Sequence, residues 1–487
     1  MNSKKTTFLV LCILTLLFTS FMGERYAYAA SIPYDSYIYD YRGYIVRTPA
    51  PYVPKKNISG ISLGVGKFTN PQDMCVAPDG KIYVADTGNN RIVVLSEDAL
   101  NVVKEIKGFT RDGKEETFKQ PYGVCVSQSN VLYVADTENK RIIALDENGE
   151  FVKCIENPTS DVLEEGFVFT PLKVTVDYAD RVYCIAKGVF EGIMVFEENG
   201  QFSSFFGTIN VEISTWEKFW RWLSTKEERS RQTLYIPTEF TGVDVDDDGF
   251  IYASNIDTTG VQAARRLNPR GQDVIKKGTE KNVGGDLVTG GASTYSGPSY
   301  IVDIVYRNDG IYSILDSKRG RIFTYDHEGN MLYIFGGLGS QAGTFTSPVA
   351  IEESGDRIFV LDATRAEILT FEATEYGSLI NEAVRLRYSG DESQAVGVWE
   401  KVLDFNENFE LANVGIGKAY LTAGDNKSAM KYLKLGMSRD YYSIAFKRYR
   451  NEILKDNLGY ILTGIVVLIA ALKIGSIVKR RKGGVKE

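Results

Sequence analysis

The sequence predicts a mainly β protein with a smaller α-helical part: a six-bladed β-propeller, then a short helical module, then one transmembrane helix. Three observations lead to this prediction. Nearly the same eleven residues stand at 82–92 (IYVADTGNNRI) and at 132–142 (LYVADTENKRI). Apolar residues have the spacing of strands through most of the chain and the spacing of helices towards its end. An apolar segment near the C-terminus is long enough to cross a bilayer.

The N-terminus has the composition of a secretory signal. Two lysines near the start precede an apolar run from Phe8 to Phe18, and Ala27-Tyr28-Ala29 offers a cleavage site with small residues. We therefore expect residues 1–29 to be a signal peptide that is cleaved near Ala29 or Ala30. The alternative is an uncleaved N-terminal anchor.

A repeated unit fills the propeller region, residues 61–375. Each copy contains strand, polar turn, strand, polar turn and strand, and most copies continue with a fourth strand. A four-stranded unit repeated radially is a propeller blade, and a single blade cannot bury both of its faces without neighbours. Six copies are recognised by the prolines that open them: Pro71, Pro121, Pro171, Pro237, Pro298 and Pro348.

Three blades carry an aspartate and an arginine five positions apart. An aspartate at the end of a strand can bind the backbone of the following turn, and an arginine that begins the next strand can reach it. We interpret these as structural pairs, because a single active site would not need the same pair in three blades. The pairs are Asp86 and Arg91, Asp136 and Arg141, and Asp316 and Arg321.

The repeats resemble those of the NHL-repeat family. The resemblance rests on a G-x-F-x-x-P lead-in, at Gly66–Pro71 and again at Gly343–Pro348, and on the YVADTGNNRI body. Ala186 and Asn255 replace the aspartate in blades three and four. The resemblance covers about residues 60–372 and implies a six-bladed propeller of the NHL/TolB-like kind. It implies little about activity.

The ring has to close across the two ends of the propeller region, because blade six shows only three strands before the pattern becomes helical. The N-terminal segment 31–60 is expected to close the propeller. Within it, residues 37–47 are rich in strand formers, and we expect them to supply the missing outer strand of blade six.

Residues 376–457 have helical periodicity and form a second repeated region. Its period is 34 residues, which resembles tetratricopeptide repeats. Such arrays bind peptides or partner proteins, whereas the alternative is a packed stalk; both remain open. The positions that recur are Leu386, Gly390, Ala395 and Trp399, which return as Tyr420, Gly424, Ala429 and Leu433.

Residues 458–478 are predicted to be a transmembrane helix, since their only charge is Lys473 near the end. The basic tail 479–487 indicates the cytoplasmic side. We therefore expect a single-pass protein of the cell membrane, with the propeller and the helical module outside the cytoplasm. The net charge of −7 provides no basis for a nucleic-acid partner.

The sequence contains no recognisable set of catalytic residues. His327 is the only histidine and is expected in an exposed hairpin turn, which disfavours histidine-based catalysis and His-rich zinc sites. Residues 244–249 (DVDDDG) match the first half of a calcium loop, but Asn255 stands where such a loop needs glutamate, so we favour an ordinary turn. We assign no catalytic residue, no cofactor-binding residue and no metal ligand. Four cysteines are expected to be free thiols: Cys75, Cys125, Cys154 and Cys184.

Two insertions interrupt the blades, at about 208–236 and 276–297. The first contains Trp216, Phe219 and Trp220 at helical spacing, with Trp222 off that face. We treat these four aromatic residues as a candidate recognition surface. The alternative is that they pack into the core and cap a blade.

Two functions of different class follow. The first is a membrane-anchored extracytoplasmic binding or scaffold protein. Its propeller would recognise a glycan, a peptide or a protein, its helices would contact a protein partner, and the complex would serve solute uptake or the cell envelope. The second is a metal-dependent hydrolase or lyase, like gluconolactonase-like or virginiamycin-B-lyase-like propellers, with calcium or another divalent metal in the central channel. We favour the first, because no set of metal ligands can be aligned and histidine is almost absent.

Overall fold

A computed structural model describes residues 32–208, 238–257, 260, 262–278, 282–286 and 297–483 of the chain. The chain divides into two compact units, residues 1–389 and 390–487. Among the described residues, the first unit holds the propeller and one α-helix, and the second holds four α-helices.

Six antiparallel sheets form the blades of the propeller. In each blade the first strand is the innermost, and the following strands lie successively further from the axis. Blade one consists of β4 (Asp73–Val76), β5 (Ile82–Asp86), β6 (Arg91–Leu95) and β7 (Val102–Ile106), and blade two consists of β10 (Pro121–Val126), β11 (Leu132–Asp136), β12 (Arg141–Leu145) and β13 (Phe151–Ile155). Blade three consists of β14 (Pro171–Val176), β15 (Val182–Ala186), β16 (Ile193–Phe196) and β17 (Phe202–Phe206), and the described strands of blade four are β18 (Phe240–Val245), β19 (Ile251–Asn255) and β20 (Ala264–Leu267). Blade five consists of β21 (Ile301–Tyr306), β22 (Tyr312–Asp316), β23 (Arg321–Tyr325) and β24 (Met331–Phe335), and blade six consists of β25 (Pro348–Ser354), β26 (Arg357–Asp362), β27 (Glu367–Ala373) and β3 (Tyr52–Ser59).

The position of a strand in its blade decides its pattern of apolar residues. The second strand of blade two, β11, is buried at all five positions because both of its faces pack against neighbouring blades. The outer strand β7 instead alternates between partly buried and exposed residues. The apolar cores therefore lie between blades: Ala85 and Ile92 of blade one pack with Val134 and Ile143 of blade two. Two short strands, β8 (Gly108–Arg111) and β9 (Lys114–Thr117), form a hairpin between these blades.

The ring closes through β3, which pairs with β27 from Tyr52↔Ala373 to Ser59↔Glu367. The expectation that residues 37–47 would close it is wrong. Those residues contain a turn from Asp40 to Tyr44, so they offer only two strands of three residues, β1 (Tyr37–Tyr39) and β2 (Ile45–Arg47). An eight-residue strand matches the seven residues of β27, whereas a short hairpin cannot. The hairpin instead extends the outer edge of blade five, where Tyr37 faces Ile334.

Helix α1 (Glu375–Tyr388) follows the last blade and belongs to the same compact unit as the propeller. Its N-cap is Thr374, whose hydroxyl accepts a hydrogen bond from the Gly377 amide at 3.2 Å. The buried Asn381 side chain accepts a hydrogen bond from the Tyr333 hydroxyl at 2.6 Å and donates to the Tyr52 hydroxyl at 3.1 Å. These bonds fasten the helix to blades five and six.

The second unit contains α2 (Glu392–Phe405), α3 (Glu410–Thr422), α4 (Asn426–Leu435) and α5 (Arg439–Gly483), and consecutive helices pack against one another. Two glycines allow this close packing. A Cβ on Gly417 would lie 2.6 Å from the side chain of Leu433, and one on Gly436 would lie 2.6 Å from Val414. Helix α5 has 45 residues, is continuous through its apolar segment, and is long and apolar enough to cross a membrane.

Candidate functional site

The repeated YVADT stretch organises the turns of the blades. Asp86 accepts hydrogen bonds from the Thr69 amide and from Arg91 Nε, both at 2.7 Å. In blade two, Asp136 accepts in the same way from Lys119 and Arg141. The threonine that follows each aspartate, Thr87 or Thr137, donates to the carbonyl of the proline that opens the next blade. The repeat therefore joins turns to strands and blade to blade.

The third predicted pair is wrong. Asp316 accepts hydrogen bonds from the Tyr300 amide at 2.9 Å and from the Ser299 hydroxyl at 2.8 Å, and its ion pair is with Arg319 at 3.5 Å. Arg321 donates instead to the carbonyl oxygens of Asp35 and Gly336. It therefore ties the N-terminal segment to blade five, a contact that the spacing of the repeat does not predict.

The remaining residues singled out in the sequence are four aromatic residues of the first insertion, His327 and the DVDDDG turn. Trp216, Phe219, Trp220 and Trp222 lie outside the described residues. His327, expected to be exposed, is only partly exposed: its ring packs edge-on against Tyr388 of α1, with ring centroids 5.1 Å apart. Asp246, within DVDDDG, accepts from the amides of Asp248 and Phe250 and from Arg266, as a turn residue does.

The inner strands of the six blades surround the propeller axis, and their register defines two levels of equivalent side chains. In blades two to six, the first axial level lies two residues after the first residue of the inner strand, and in blade one the equivalent position is Asp73, two residues after Pro71. The second axial level lies two residues further along each strand. From blade one to blade six, the first axial level consists of Asp73, Gly123, Lys173, Gly242, Asp303 and Ala350. The second axial level consists of Cys75, Cys125, Thr175, Asp244, Val305 and Glu352.

A charged triad crosses the axis at the first axial level. Lys173 of blade three forms an ion pair with Asp73 of blade one and lies 3.6 Å from Asp303 of blade five. These three blades are not neighbours, so the side chains can meet only over the axis. Each of the three residues is less than 8% exposed. We call Asp73, Lys173 and Asp303 the axial triad.

Glycines make room for the triad in the intervening blades. A Cβ on Gly123 would lie 2.3 Å from the Leu172 carbonyl oxygen, and a Cβ on Gly242 would lie 2.5 Å from Asp303 Oδ1. Contacts that short do not occur, so neither position can carry a side chain in this arrangement. The first axial level therefore alternates charged residues with small ones around the ring.

The triad carboxylates also bind backbone groups at the inner edges of the sheets. Asp73 Oδ2 accepts from the Val124 amide of the next blade at 2.9 Å, and Asp303 Oδ2 accepts from the Ile351 amide at 2.9 Å. An inner strand has no further strand to bind its axial edge, and these carboxylates satisfy donors that would otherwise stay unpaired.

Burial and neighbouring charges have opposite effects on the pKa values of the axial triad. Burial raises the pKa of Asp73, and it raises the pKa of Asp303 to about 7, although the Lys173 charge counteracts it in both. Burial lowers the pKa of Lys173, but the charges of Asp303 and Asp73 outweigh it and raise that pKa above its usual range. The ammonium group therefore stays protonated at neutral pH.

The second axial level is more accessible. Cys125, Asp244 and Glu352, from blades two, four and six, are partly exposed, whereas the other three residues of this level are buried. Asp244 accepts from the Tyr306 amide at 2.7 Å and from the Val245 amide at 2.8 Å. Within the described parts of the chain, the carboxylate of Glu352 forms neither a hydrogen bond nor an ion pair.

The pKa values of three groups at the second axial level are raised. Burial and the charges of Asp244, Asp303 and Asp73 raise the pKa of Glu352 well above its usual range. Burial also raises the pKa of Asp244 to about 6 and that of the Cys125 thiol to about 12. A protonated thiol is a poor nucleophile, so this level is better suited to binding than to covalent catalysis.

The donor groups at the axis are not arranged as a metal site. Across the described ranges, no group of three or more His, Cys, Asp or Glu side chains is arranged to hold a metal ion. The two carboxylates of the first axial level already share a cation of the chain, Lys173. The described residues therefore do not fit the channel metal that the hydrolase alternative expects.

Sequence reasoning missed both axial levels. Aligning the repeats by their opening prolines would have placed Tyr300 at the first level of blade five, because Pro298 lies three residues before Ile301, the first residue of the inner strand. Asp303 joins Asp73 and Lys173 only when the inner strands themselves are aligned. Their contact could not be predicted, because Asp73 and Lys173 lie 100 residues apart and in blades that are not neighbours.

One family model and several solved structures are similar to this chain. The family model described as NHL repeat matches residues 68–95 and 118–152, so the propeller contains NHL repeats. Among solved structures, virginiamycin B lyase from Staphylococcus aureus is similar at 11% identity, with a TM-score of 0.42 over 66% of this chain and 100% of that one. Hydrazine synthase of Kuenenia stuttgartiensis is similar at 11% identity, with a TM-score of 0.38 over 63% of this chain and 97% of that one. No curated protein matches the chain.

Proposed function

We propose that this NHL-repeat propeller is a membrane-anchored extracytoplasmic binding or scaffold protein. Its propeller would recognise a ligand or a protein, and helices α2–α5 would contact a protein partner at the membrane surface, in the manner of tetratricopeptide-like repeats. Such a complex would serve solute uptake or the cell envelope.

The observation that carries the proposal is the continuity of α5. Its first part packs on α4, where Ala445 is fully buried and Asn426 donates to Glu452 at 2.5 Å. The apolar segment begins at Leu458, only six residues after Glu452, or about 9 Å along a helix. Because nothing interrupts the helix between these points, the helical module would be held directly above the bilayer. A module in that place is suited to contacting membrane proteins.

Site-specific photo-crosslinking in native membranes tests this function. A crosslinking residue is placed at the exposed Glu400 of α2, and a matched control is placed at the exposed Glu147 in a turn of blade two. We expect a defined membrane protein to crosslink from position 400 and not from 147. Equal crosslinking from both positions, or only lipid adducts from position 400, would contradict the role given to the helices.

A fluorescent thiol reagent that cannot cross membranes tests the orientation. A cysteine introduced at the exposed Glu400 is expected to be labelled in intact cells, whereas one introduced in the tail 479–487 is expected to need permeabilised cells. The reverse pattern would place the propeller in the cytoplasm.

A further inference from the structure

The only histidine of the chain contacts the C-terminal end of α1. His327 lies in the turn between β23 and β24, and its ring packs edge-on against Tyr388, with ring centroids 5.1 Å apart. The next residue of the turn, Glu328, accepts a hydrogen bond from Arg387 at 2.7 Å. Two successive residues of the turn therefore bind the last two residues of α1.

The turn that contains His327 is closely packed. A Cβ on Gly310, in the turn between β21 and β22, would lie 2.8 Å from the Cβ of His327 and 2.7 Å from the Tyr388 ring. The Gly278 amide donates a hydrogen bond to the Glu328 carbonyl oxygen at 3.0 Å. The turn is thus packed against three separate elements: α1, the β21–β22 turn and the segment that ends at Gly278.

This packing leaves one nitrogen of the imidazole without a hydrogen bond. Nδ1 of His327 is buried and has no hydrogen-bond partner among the described residues. In the neutral ring Nδ1 can remain unprotonated, whereas the protonated ring carries a hydrogen on both nitrogens. Protonation in the packed position would therefore bury an N–H group that has no acceptor, which is unfavourable.

Neighbouring charges act on the histidine in both directions. Burial lowers the pKa of His327, and the cations of Arg387 and Lys276 contribute in the same direction. The two carboxylates of its own turn raise this pKa, but burial is the largest effect. The neutral ring is therefore the form that packs against α1. Charged and titratable side chains lie on every element packed against this turn: Asp326 and Glu328 in the turn itself, Lys276 before Gly278, Asp309 beside Gly310, and Arg385, Arg387 and Tyr388 on α1.

We propose that His327 is a pH-sensitive contact, whose neutral ring holds the last turn of α1 on blade five and whose protonation releases it. The proposal goes beyond the binding function above and does not depend on it. Helix α1 is the last element of the first compact unit, and only residues 389–391 separate it from α2. Release of its last turn would therefore lengthen the free chain that precedes α2.

The lowered pKa sets the direction of the pH dependence. The histidine of an unfolded chain is neutral above about pH 6.5, so the contact is complete above that pH. It is lost as the pH falls through the lower pKa of the folded protein. Acidification should therefore weaken the contact between α1 and blade five.

Two measurements on the full-length protein, without a histidine tag and in non-ionic detergent micelles, test the proposal. Because His327 is the only histidine, an isotope-labelled histidine ring gives a single NMR signal, and its titration reports the pKa of that residue. Hydrogen exchange reports on the last turn of α1, where the Ser389 amide donates to the Arg385 carbonyl oxygen at 2.9 Å. The part of α1 around Asn381 is the internal reference, because its side-chain bonds to the blades do not involve the histidine.

Three variants separate the histidine from other titrating groups. His327→Gln keeps a polar side chain that cannot be protonated in this pH range, and Tyr388→Leu removes the ring on which the histidine packs. Asp244→Asn is the control, because Asp244 also titrates near this range, with a pKa of about 6, but lies at the propeller axis. The NMR titrations of the wild type and of Tyr388→Leu need no change at position 327, so the test does not depend on the folding of His327→Gln.

In the wild type we expect the histidine to titrate below its usual value of about 6.5, and in Tyr388→Leu closer to that value. After correction for intrinsic exchange, protection of the last turn relative to the reference should fall by about fivefold or more between about pH 7.5 and about pH 5, as expected for a buried unpaired N–H group. Asp244→Asn should keep this fall within about twofold, and His327→Gln should abolish it. A histidine pKa at or above 6.5, protection that rises in acid, or the same fall in His327→Gln would each overturn the proposal.

Discussion

Lys173 of blade three forms an ion pair across the propeller axis with Asp73 of blade one, 100 residues earlier in the chain. The ammonium group also lies 3.6 Å from Asp303 of blade five, so one side chain connects three alternate blades. A buried cation shared by two carboxylates makes the centre of the ring sensitive to the loss of any one member.

Replacing the cation of the triad should destabilise the propeller. In Lys173→Met, two buried carboxylates remain without a counter-charge, and we expect a loss of about 3 to 5 kcal/mol in the free energy of unfolding at pH 8. Lowering the pH should recover part of this loss, because protonation removes the repulsion. Lys81→Met, which breaks an exposed pair with Asp79, should cost no more than about 1 kcal/mol. Denaturant unfolding in detergent micelles measures the free energy of unfolding of both variants. Equal stability of the two variants would contradict a buried ion pair between Lys173 and the two aspartates.

The raised pKa values predict how stability depends on pH. Asp303 has a pKa of about 7 and Asp244 of about 6 in the folded protein, above the value of about 3.9 for an unfolded chain. The folded state therefore holds these protons more tightly. The resulting stability is complete below about pH 4 and is lost as the pH rises through 6 and 7.

Asp244→Asn separates this effect from the other titrating groups. Asparagine cannot ionise, so the variant should be more stable than the wild type at pH 8, by on the order of 2 to 3 kcal/mol at most, and similar to it at pH 4. The free energy of unfolding, measured for both proteins at several pH values, checks this. A variant that is less stable at every pH would show that the hydrogen bonds of Asp244 matter more than its charge.

The different partners of Asp86 and Asp316 predict different mutational effects in blades one and five. Arg91→Met should destabilise the propeller, because Arg91 is buried and paired with Asp86. In blade five, Arg319→Met should have the corresponding effect, whereas Arg321→Met should mainly release the N-terminal segment at Asp35. Thermal unfolding combined with limited proteolysis distinguishes these results. Greater thermal destabilisation by Arg321→Met than by Arg319→Met would contradict the observed pairing.

Ring closure through β3 predicts where an introduced charge is tolerated. Ile58 lies in β3 and is 2% exposed, whereas Ile45 lies in the β1–β2 hairpin and is 60% exposed. Ile58→Asp should unfold blade six and open the ring, because it buries an unpaired charge. We expect it to lower the free energy of unfolding by about 3 kcal/mol or more. Ile45→Asp should be nearly neutral. Hydrogen exchange of β27 reports the opening, and protection of β27 in Ile58→Asp would show that another segment closes the ring.

The sequence was most informative where the structure is local and repeated. The six blades and the pairing of Asp86 with Arg91 follow from residues close together in one repeat. The closing strand could not be chosen correctly, because both 37–47 and 52–59 contain strand formers and only the turn at Asp40–Tyr44 distinguishes them. Arg321 occupies the repeat position of Arg91, yet it donates a hydrogen bond to Asp35, almost 300 residues away, and forms no ion pair with Asp316. The axial levels depend on the ring geometry that brings alternate blades together, which no single repeat contains.

The most direct measurement is an experimental structure of the full-length protein. We expect six blades closed through β3, with Lys173 held between Asp73 and Asp303. A ring closed by another segment, or Lys173 separated from both aspartates, would contradict the account.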